Sequence, residues 1–299
     1  MLWSMSDVRA SSRVSVVVSF CDEPEHLCMV LIALRRQTVL PAEVLIADDG
    51  SSAENVKIVA DFAKACPFPV VHVRQPHEGF RLARNRNNAI YRAKNEFIAS
   101  LDQDTLPHRR WLERFLEGLR PGRVCTGYVL RLSEENSARL NHGAVERNEF
   151  EAWHAESEHA KLDKLQRKFL FYVVLRRLGL GVKGRPAIAF GNAAVCRSDL
   201  LRVNGFDEEY VGWGQEDDDL GWRLYRSGVR PVALVNRALV SHIHHPPRHG
   251  DWRNGANIER YRRPRASFRC ERGLDKHPHP DVFVTVLNEK DEHRTLNLA

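Results

Sequence analysis

Between Val14 and Leu132 the chain alternates short β-branched runs with stretches of helical periodicity. That alternation is what most constrains the fold. Val14–Phe20, Val44–Ala47, Val70–Val73, Phe97–Leu101 and Val124–Leu132 read as strands, the first fully buried. Leu27–Arg36 reads as a helix, with Pro24 placed where a helix can start. Asn55–Ala65, Leu82–Ala93 and Trp111–Leu119 read as further helices. Strands alternating with short helices predict crossovers and a mainly parallel central sheet, an α/β architecture. Ligands of such sheets sit outside the carboxyl ends of the strands. Two acidic clusters, Asp48-Asp49 and Asp102-Gln103-Asp104, fall at that edge.

The chain has 299 residues, of which 43% are hydrophobic and 28% charged. This is ample for a buried core and argues against disorder throughout. No uninterrupted apolar stretch is long enough to span a bilayer. The first twelve residues lack the zones of a signal peptide, so a cytoplasmic location is expected. Cysteines 21, 28, 66, 125, 196 and 270 include no CxxC pair and read as reduced thiols. The formal charge of +6 favours anionic partners without choosing among them. Residues 133–186 form a mostly helical insert, residues 187–245 return to strand and helix signals, and residues 246–299 look like a basic, loop-like tail.

Several clusters can carry chemistry. Asp102 and Asp104 leave a strand at i and i+2 and can hold Mg²⁺ or Mn²⁺; the same pattern also serves as a solvated turn. Glu216-Asp217-Asp218-Asp219 opens a helix after Gly212-Trp213-Gly214-Gln215. One acid would satisfy the helix dipole, whereas four repel one another and raise the pKa of at least one, as a general base needs. His242, His244 and His245 follow a strand, and one of them could complete a metal site with Asp104; a zinc site using His245 and His249 competes. Gly79–Asn85 opens a helix with Arg81 and Arg84, either a diphosphate cradle or a solvated basic face. Gly179, Gly181 and Gly184 spell GxGxxG without the strand and helix that a dinucleotide fingerprint needs. Phe169–Val182 is apolar among basic residues and could meet an anionic membrane or pack on the main domain. Trp252, Tyr261 and Phe268 among arginines raise nucleic-acid stacking, but no recognised module frames them.

Together these motifs resemble family 2 glycosyltransferases of the GT-A fold. The matching features are Val16–Asp22, Asp48-Asp49-Gly50-Ser51, Gly79–Asn88, Asp102-Gln103-Asp104, and the block from Asn204 to Leu220. That last block is similar to one shared by galactosyltransferases and chondroitin-type polymerases. The resemblance spans residues 13–245, with the insert outside it. It implies an inverting transferase using a UDP-sugar of Gal, GalNAc or Glc type, a Mn²⁺ or Mg²⁺ ion, and a glycan or lipid-linked acceptor, in surface polysaccharide biosynthesis. Donor contacts would come from Asp22, Asp49, Arg81, Arg84 and Asp102. Asp104 and His242 would bind the metal, and Asp217 would be the base. Asn192, Trp213, Glu216 and Asp218 would border the sugar or acceptor. Peripheral contact with the inner face of a membrane through residues 169–183 is the further expectation. A non-catalytic nucleotide-sugar binder and a metal-dependent nucleotidyltransferase are the rivals. The first would have signalled itself by loss of Asp104 or Asp217, and the second by a Gly-rich loop where Cys21-Asp22-Glu23-Pro24 stands.

Overall fold

The computed structural model describes residues 13–178, 180, 188–246, 256–263 and 266–288. The strands and helices expected between Val14 and Leu119 are present with small boundary shifts. Strands β1 (Val14–Phe20), β2 (Glu43–Asp48), β3 (Val70–Arg74) and β4 (Phe97–Asp102) alternate with helices α1 (Pro24–Arg35), α2 (Ala53–Ala63) and α3 (Leu82–Arg92). Every residue of β1 and β2 is buried, as strands covered on both faces require. Val16 and Val18 enter one core with Leu31, Ile46 and Trp111, whereas Val17 enters the other with Leu45, Ile90 and Phe206. The period of two thus divides one valine run between the two faces of the sheet.

Strands β5 (Thr105–Pro107), β6 (Arg123–Thr126) and β7 (Tyr128–Arg131) flank helix α4 (Trp111–Gly118). The single strand expected at Val124–Leu132 is two strands in two sheets. Gly127 makes the break. A Cβ there would lie 2.1 Å from the Ala238 carbonyl and 2.5 Å from Asn192 Nδ2, so only glycine permits the close approach. The insert is helical where described: α5 (Glu134–Ala138), α6 (His142–Glu146), a 3₁₀ turn at Glu149–Ala152, and the long α7 (Glu156–Arg177). Gln166 clamps α7 to the domain, giving its amide to the Ala233 carbonyl and accepting from the Val235 amide.

The remaining elements are β8 (Asn192–Cys196), α8 (Arg197–Val203), α9 (Glu216–Arg226), β9 (Arg230–Ala233), β10 (Leu239–His242), α10 (Ala256–Arg262) and β11 (Phe283–Val286). The large sheet runs β11-β3-β2-β1-β4-β8-β6-β9, and a small one runs β5-β10-β7. From β3 to β4 all pairing is parallel, while β8 and β11 pair antiparallel with their neighbours. Registers Phe20↔Asp48 and Ser19↔Asp102 place both acidic clusters at the same carboxyl edge.

The tail departs from expectation. Residues 256–263 and 266–288 are not merely loop: they include α10, and β11 extends the main sheet beside β3. Asn288 ties its end down, accepting from the Val70 amide at 2.8 Å and donating to the Phe68 carbonyl at 2.8 Å. Gly179, Gly181, Gly184, His249 and Trp252 lie outside the described residues.

Asn288→Ala should remove these bonds and loosen β11 by roughly 1–3 kcal/mol. Hydrogen exchange at residues 283–286 should speed up while that of β1 and β2 is unchanged.

Candidate active site

A cavity of about 450 Å³ opens at the carboxyl edge of the sheet. Asp49, Asp102, Asp104, Trp213, His242 and His245 line it, together with Phe80, Arg131 and residues 19–21. Below it lies Arg86 of α3, its side chain only 2% exposed. Its guanidinium gives hydrogen bonds to Asp102 Oδ1 at 2.9 Å, Asp217 Oδ1 at 2.8 Å and Ser19 Oγ at 3.2 Å. Glu216 Oε1 lies 3.9 Å away, and the rings of Phe190 and Phe206 flank the group. Burial opposes the charge of Arg86, but Asp217, Asp102 and Glu216 more than offset that and hold it protonated.

Gly191 lets the floor close. A Cβ there would fall 2.4 Å from Asp102 Oδ2, so a larger residue would push that carboxylate away. Asp217 sits beside Asp102 on the same arginine, and its second oxygen accepts from the Phe190 amide at 2.8 Å. Its side chain is 25% exposed.

The acidic run does raise pKa values, but for a reason other than crowding alone. Burial is the largest cause for Glu216, Asp217 and Asp218, with the charge of Asp217 adding to it for Glu216 and Asp218. Glu216 is pushed up to about 7. Its Oε2 is buried without a hydrogen-bond partner among the described residues. Asp219 is apart from the site, paired with buried Arg223 at 2.7 Å.

The metal candidates converge. Asp104 Oδ2 lies 3.1 Å from His245 Nε2 and 3.6 Å from His242 Nε2. One ligand atom from each of the three falls within 4.8 Å of the others. Strand β10 ends at His242, so the i, i+2 rule stops there: His244 is exposed, its amide bonded to Ser137 Oγ, and His245 turns back to Asp104. A carboxylate with two imidazoles suits Mn²⁺ and Zn²⁺ alike. Gln103 does not join the group. Its side-chain oxygen accepts from the Cys21 amide at 2.7 Å and fixes the turn to the end of β1.

Other expected contacts are placed elsewhere. Asn192 does not border the cavity. It begins the fully buried β8, accepts from Trp111 Nε1 at 2.8 Å, and donates to the Tyr128 and Ala238 carbonyls. Arg84 is committed to Asp281 at 2.6 Å, and Arg81 pairs with Glu78 at 2.7 Å; both line a second, separate cavity. The two-residue step explains this: at about 100° per residue Arg84 and Arg86 point to nearly opposite sides of α3. Asp22 joins β1 to α2: its carboxylate accepts from the Ser52 amide and Asn55 Nδ2, both at 2.8 Å, and these bonds lower its pKa. Asp49 lines the cavity and accepts from Gln75 Nε2 at 2.6 Å. Trp213 stands at the rim, 44% exposed. Arg86, Arg131 and His245 are site residues that the sequence reading did not choose.

Because Glu216 is raised in the folded state, its protonated form stabilises the protein fully below the ordinary glutamate pKa. That contribution is lost as pH rises through about 7. Glu216→Gln should therefore gain stability over the parent between pH 5 and 8, by up to about 3 kcal/mol. Urea midpoints at both pH values check it, and a gap that does not widen with pH would refute it.

Sequence comparison agrees with this geometry. Residues 15–177 match the profile of glycosyl transferase family 2, and residues 171–247 that of the N-terminal domain of galactosyltransferase; the two together run through residues 133–186, which the sequence reading sets outside the resemblance as an insert. The validoxylamine A glucosyltransferase of Streptomyces hygroscopicus subsp. limoneus is 28% identical over 284 residues, 92% of this chain and 59% of that protein. The chondroitin synthase of Escherichia coli is 29% identical over 260 residues, 78% of this chain and 35% of that protein. The chain thus spans 59% and 35% of the lengths of these two relatives. Among solved structures, the mannosyltransferase PcManGT from Pyrobaculum calidifontis, in complex with GDP-Man and Mn²⁺, superposes with a TM-score of 0.52 at 18% identity, covering 81% of this chain and 59% of that one. The S. aureus TarS 1–349 complex with UDP gives 0.50 at 16% identity, covering 78% and 61%. These structural likenesses are of fold, and the fold is GT-A. With the first profile covering more than half of its length, the chain belongs to glycosyl transferase family 2.

Proposed function

We propose that the chain moves a sugar from a UDP-sugar to a hydroxyl of a glycan or lipid-linked acceptor, inverting the anomeric centre, in surface polysaccharide biosynthesis. The observation that carries this reading is one arginine, Arg86, bonded to both Asp217 and Asp102, of which Asp102 lines a cavity together with Asp104, His242 and His245 while Asp217 lies behind that lining. Asp49 and Asp102 would meet the nucleoside and sugar. Asp104, His242 and His245 would hold Mn²⁺ or Mg²⁺, which when bound supplies positive charge to the departing diphosphate. UDP as the nucleotide is supported by the acidic Asp48-Asp49 turn and by the resemblance of the acceptor block to galactosyltransferases.

Asp217 would accept the proton of the attacking hydroxyl. Burial makes its carboxylate more basic than a solvated one, and Arg86 opposes that rise without cancelling it. Attack from the face opposite the leaving diphosphate requires no covalent intermediate and inverts the sugar. Trp213 and Asp218 would shape the acceptor side.

Helix α7 supports a peripheral membrane role for a lipid-linked acceptor. Leu170, Phe171, Val174 and Leu178 are exposed there beside basic residues, and no described helix is long and apolar enough to cross a membrane. Residues 179 and 181–183 of this stretch lie outside the described residues. Phe171→Glu should lower co-sedimentation with anionic vesicles several-fold without changing turnover of a soluble acceptor.

Asp217→Asn should lower kcat by about 10²–10⁴-fold and leave donor affinity within a few-fold. Asp104→Ala should abolish stimulation by Mn²⁺. Donor hydrolysis across a panel of nucleotide sugars, read as released nucleotide, measures both. Release from GDP-sugars alone would overturn the donor assignment, and full activity of Asp217→Asn would overturn its role as base.

A further inference from the structure

Behind α3, away from the cavity just described, three more side chains converge. Glu208 follows the turn at Asn204 and Gly205, which have φ of 68° and 65°. Its amide donates to the Arg272 carbonyl at 3.0 Å. Asn204 binds the other strand of this seam, giving its side-chain amide to the Cys270 carbonyl and to Asp275. These bonds hold residues 270–277 against residues 204–208. A 3₁₀ turn at Leu274–Lys276 then delivers His277, and His279 follows two residues on.

The result is compact. His277 Nε2 lies 2.6 Å from Glu208 Oε1, and His279 Nε2 lies 3.2 Å from Glu208 Oε2. The two imidazole centroids are 4.3 Å apart, and one ligand atom from each residue falls within 4.8 Å of the others. The side chain of His277 is 1% exposed and that of Glu208 5%. Asn87 of α3 orients the carboxylate by donating to Glu208 Oε1 at 2.8 Å, the kind of outer contact that metal-binding carboxylates receive. The ring of Tyr91 stacks on His277 and limits its rotation.

We propose that Glu208, His277 and His279 form a second divalent-cation site, of the zinc class, which fastens the C-terminal segment to α3. Two imidazoles and one carboxylate are donors that zinc takes, and here, unlike at the first site, no diphosphate is expected to add oxygen ligands for a harder ion. Three protein ligands leave a fourth tetrahedral position. Glu208 and His279 line a cavity of about 290 Å³ with Arg81, Arg84 and Arg272, from which solvent would complete the shell. The site is independent of the transferase reading, since neither Glu208 nor either histidine lines the first cavity.

The test uses the full chain with the first site disabled by Asp104→Asn and His245→Gln, stripped by chelation and titrated with Zn²⁺ against a chromophoric chelator. One equivalent should bind, raise the Tm, and slow hydrogen exchange across residues 274–286. Glu208→Gln and His279→Gln in that background should each weaken binding by tenfold or more; both keep the size and polarity of the replaced group, and circular dichroism confirms folding. Should either variant fail to fold, anomalous diffraction at the zinc edge on the background protein decides, with a peak among the three side chains expected. No stoichiometric binding, unchanged affinity in the folded variants, or an anomalous peak elsewhere would each overturn the proposal.

Discussion

A guanidinium buried almost completely has to be neutralised where it sits, and Arg86 shapes the centre of this protein around that need. Its partners come from separate parts of the chain: Ser19 and Asp102 from the ends of β1 and β4, Glu216 and Asp217 from the start of α9. Without the arginine, three carboxylates would face one another in a poorly solvated space. Without the carboxylates, the arginine would be an unpaired buried charge. Each side therefore requires the other, and the join between β1, β4 and the start of α9 is electrostatic at its core. Phe190 and Phe206 exclude water from the group and strengthen every interaction within it.

Much of this was legible in the residues. The valine run of β1 and the acids ending β2 and β4 announce a parallel sheet and the edge at which it binds. What escaped depended on contacts remote in sequence. Arg86 stands three residues after buried Ala83 and four before buried Ile90, so helical spacing alone puts it on the inner face of α3. That signal was present, but Arg81 and Arg84 are equally basic and nearer the glycine. The split of Val124–Leu132 follows from the approach of Ala238 and Asn192 to Gly127, which no local pattern encodes. Phe283–Val286 is a strand-like tetrapeptide that finds its partner, Val71–Arg74, more than two hundred residues away. Asn192 was expected to border the acceptor from the resemblance alone, and no local pattern announces its burial at the start of β8. Its hydrogen bonds to three neighbours show that it supports the site from beneath.

Helix α3 relates the two clusters. Arg86 leaves one side of it for the carboxylates, while Asn87 and Arg84 leave the other for Glu208 and Asp281. The C-terminal segment is therefore packed against the helix that positions the central arginine. Its pairing with β3 adds an outer strand to the same sheet. Segments that lie at opposite ends of the chain thus brace one element between them.

The pairing of β10 has a consequence of its own. His242 lies opposite Thr105 in an antiparallel ladder, and Asp104 immediately precedes that threonine. The Ile243 amide donates to the carbonyl of Asp104 itself, at 2.9 Å. The spacing between these positions is thus set by main-chain bonds, which any side chain leaves intact. The ladder reaches positions 104 and 242 but stops short of 245, which lies beyond the end of the strand. Two of the three converging side chains are therefore held by backbone that a substitution leaves in place, and the third hangs on a loop whose path its own contacts must hold.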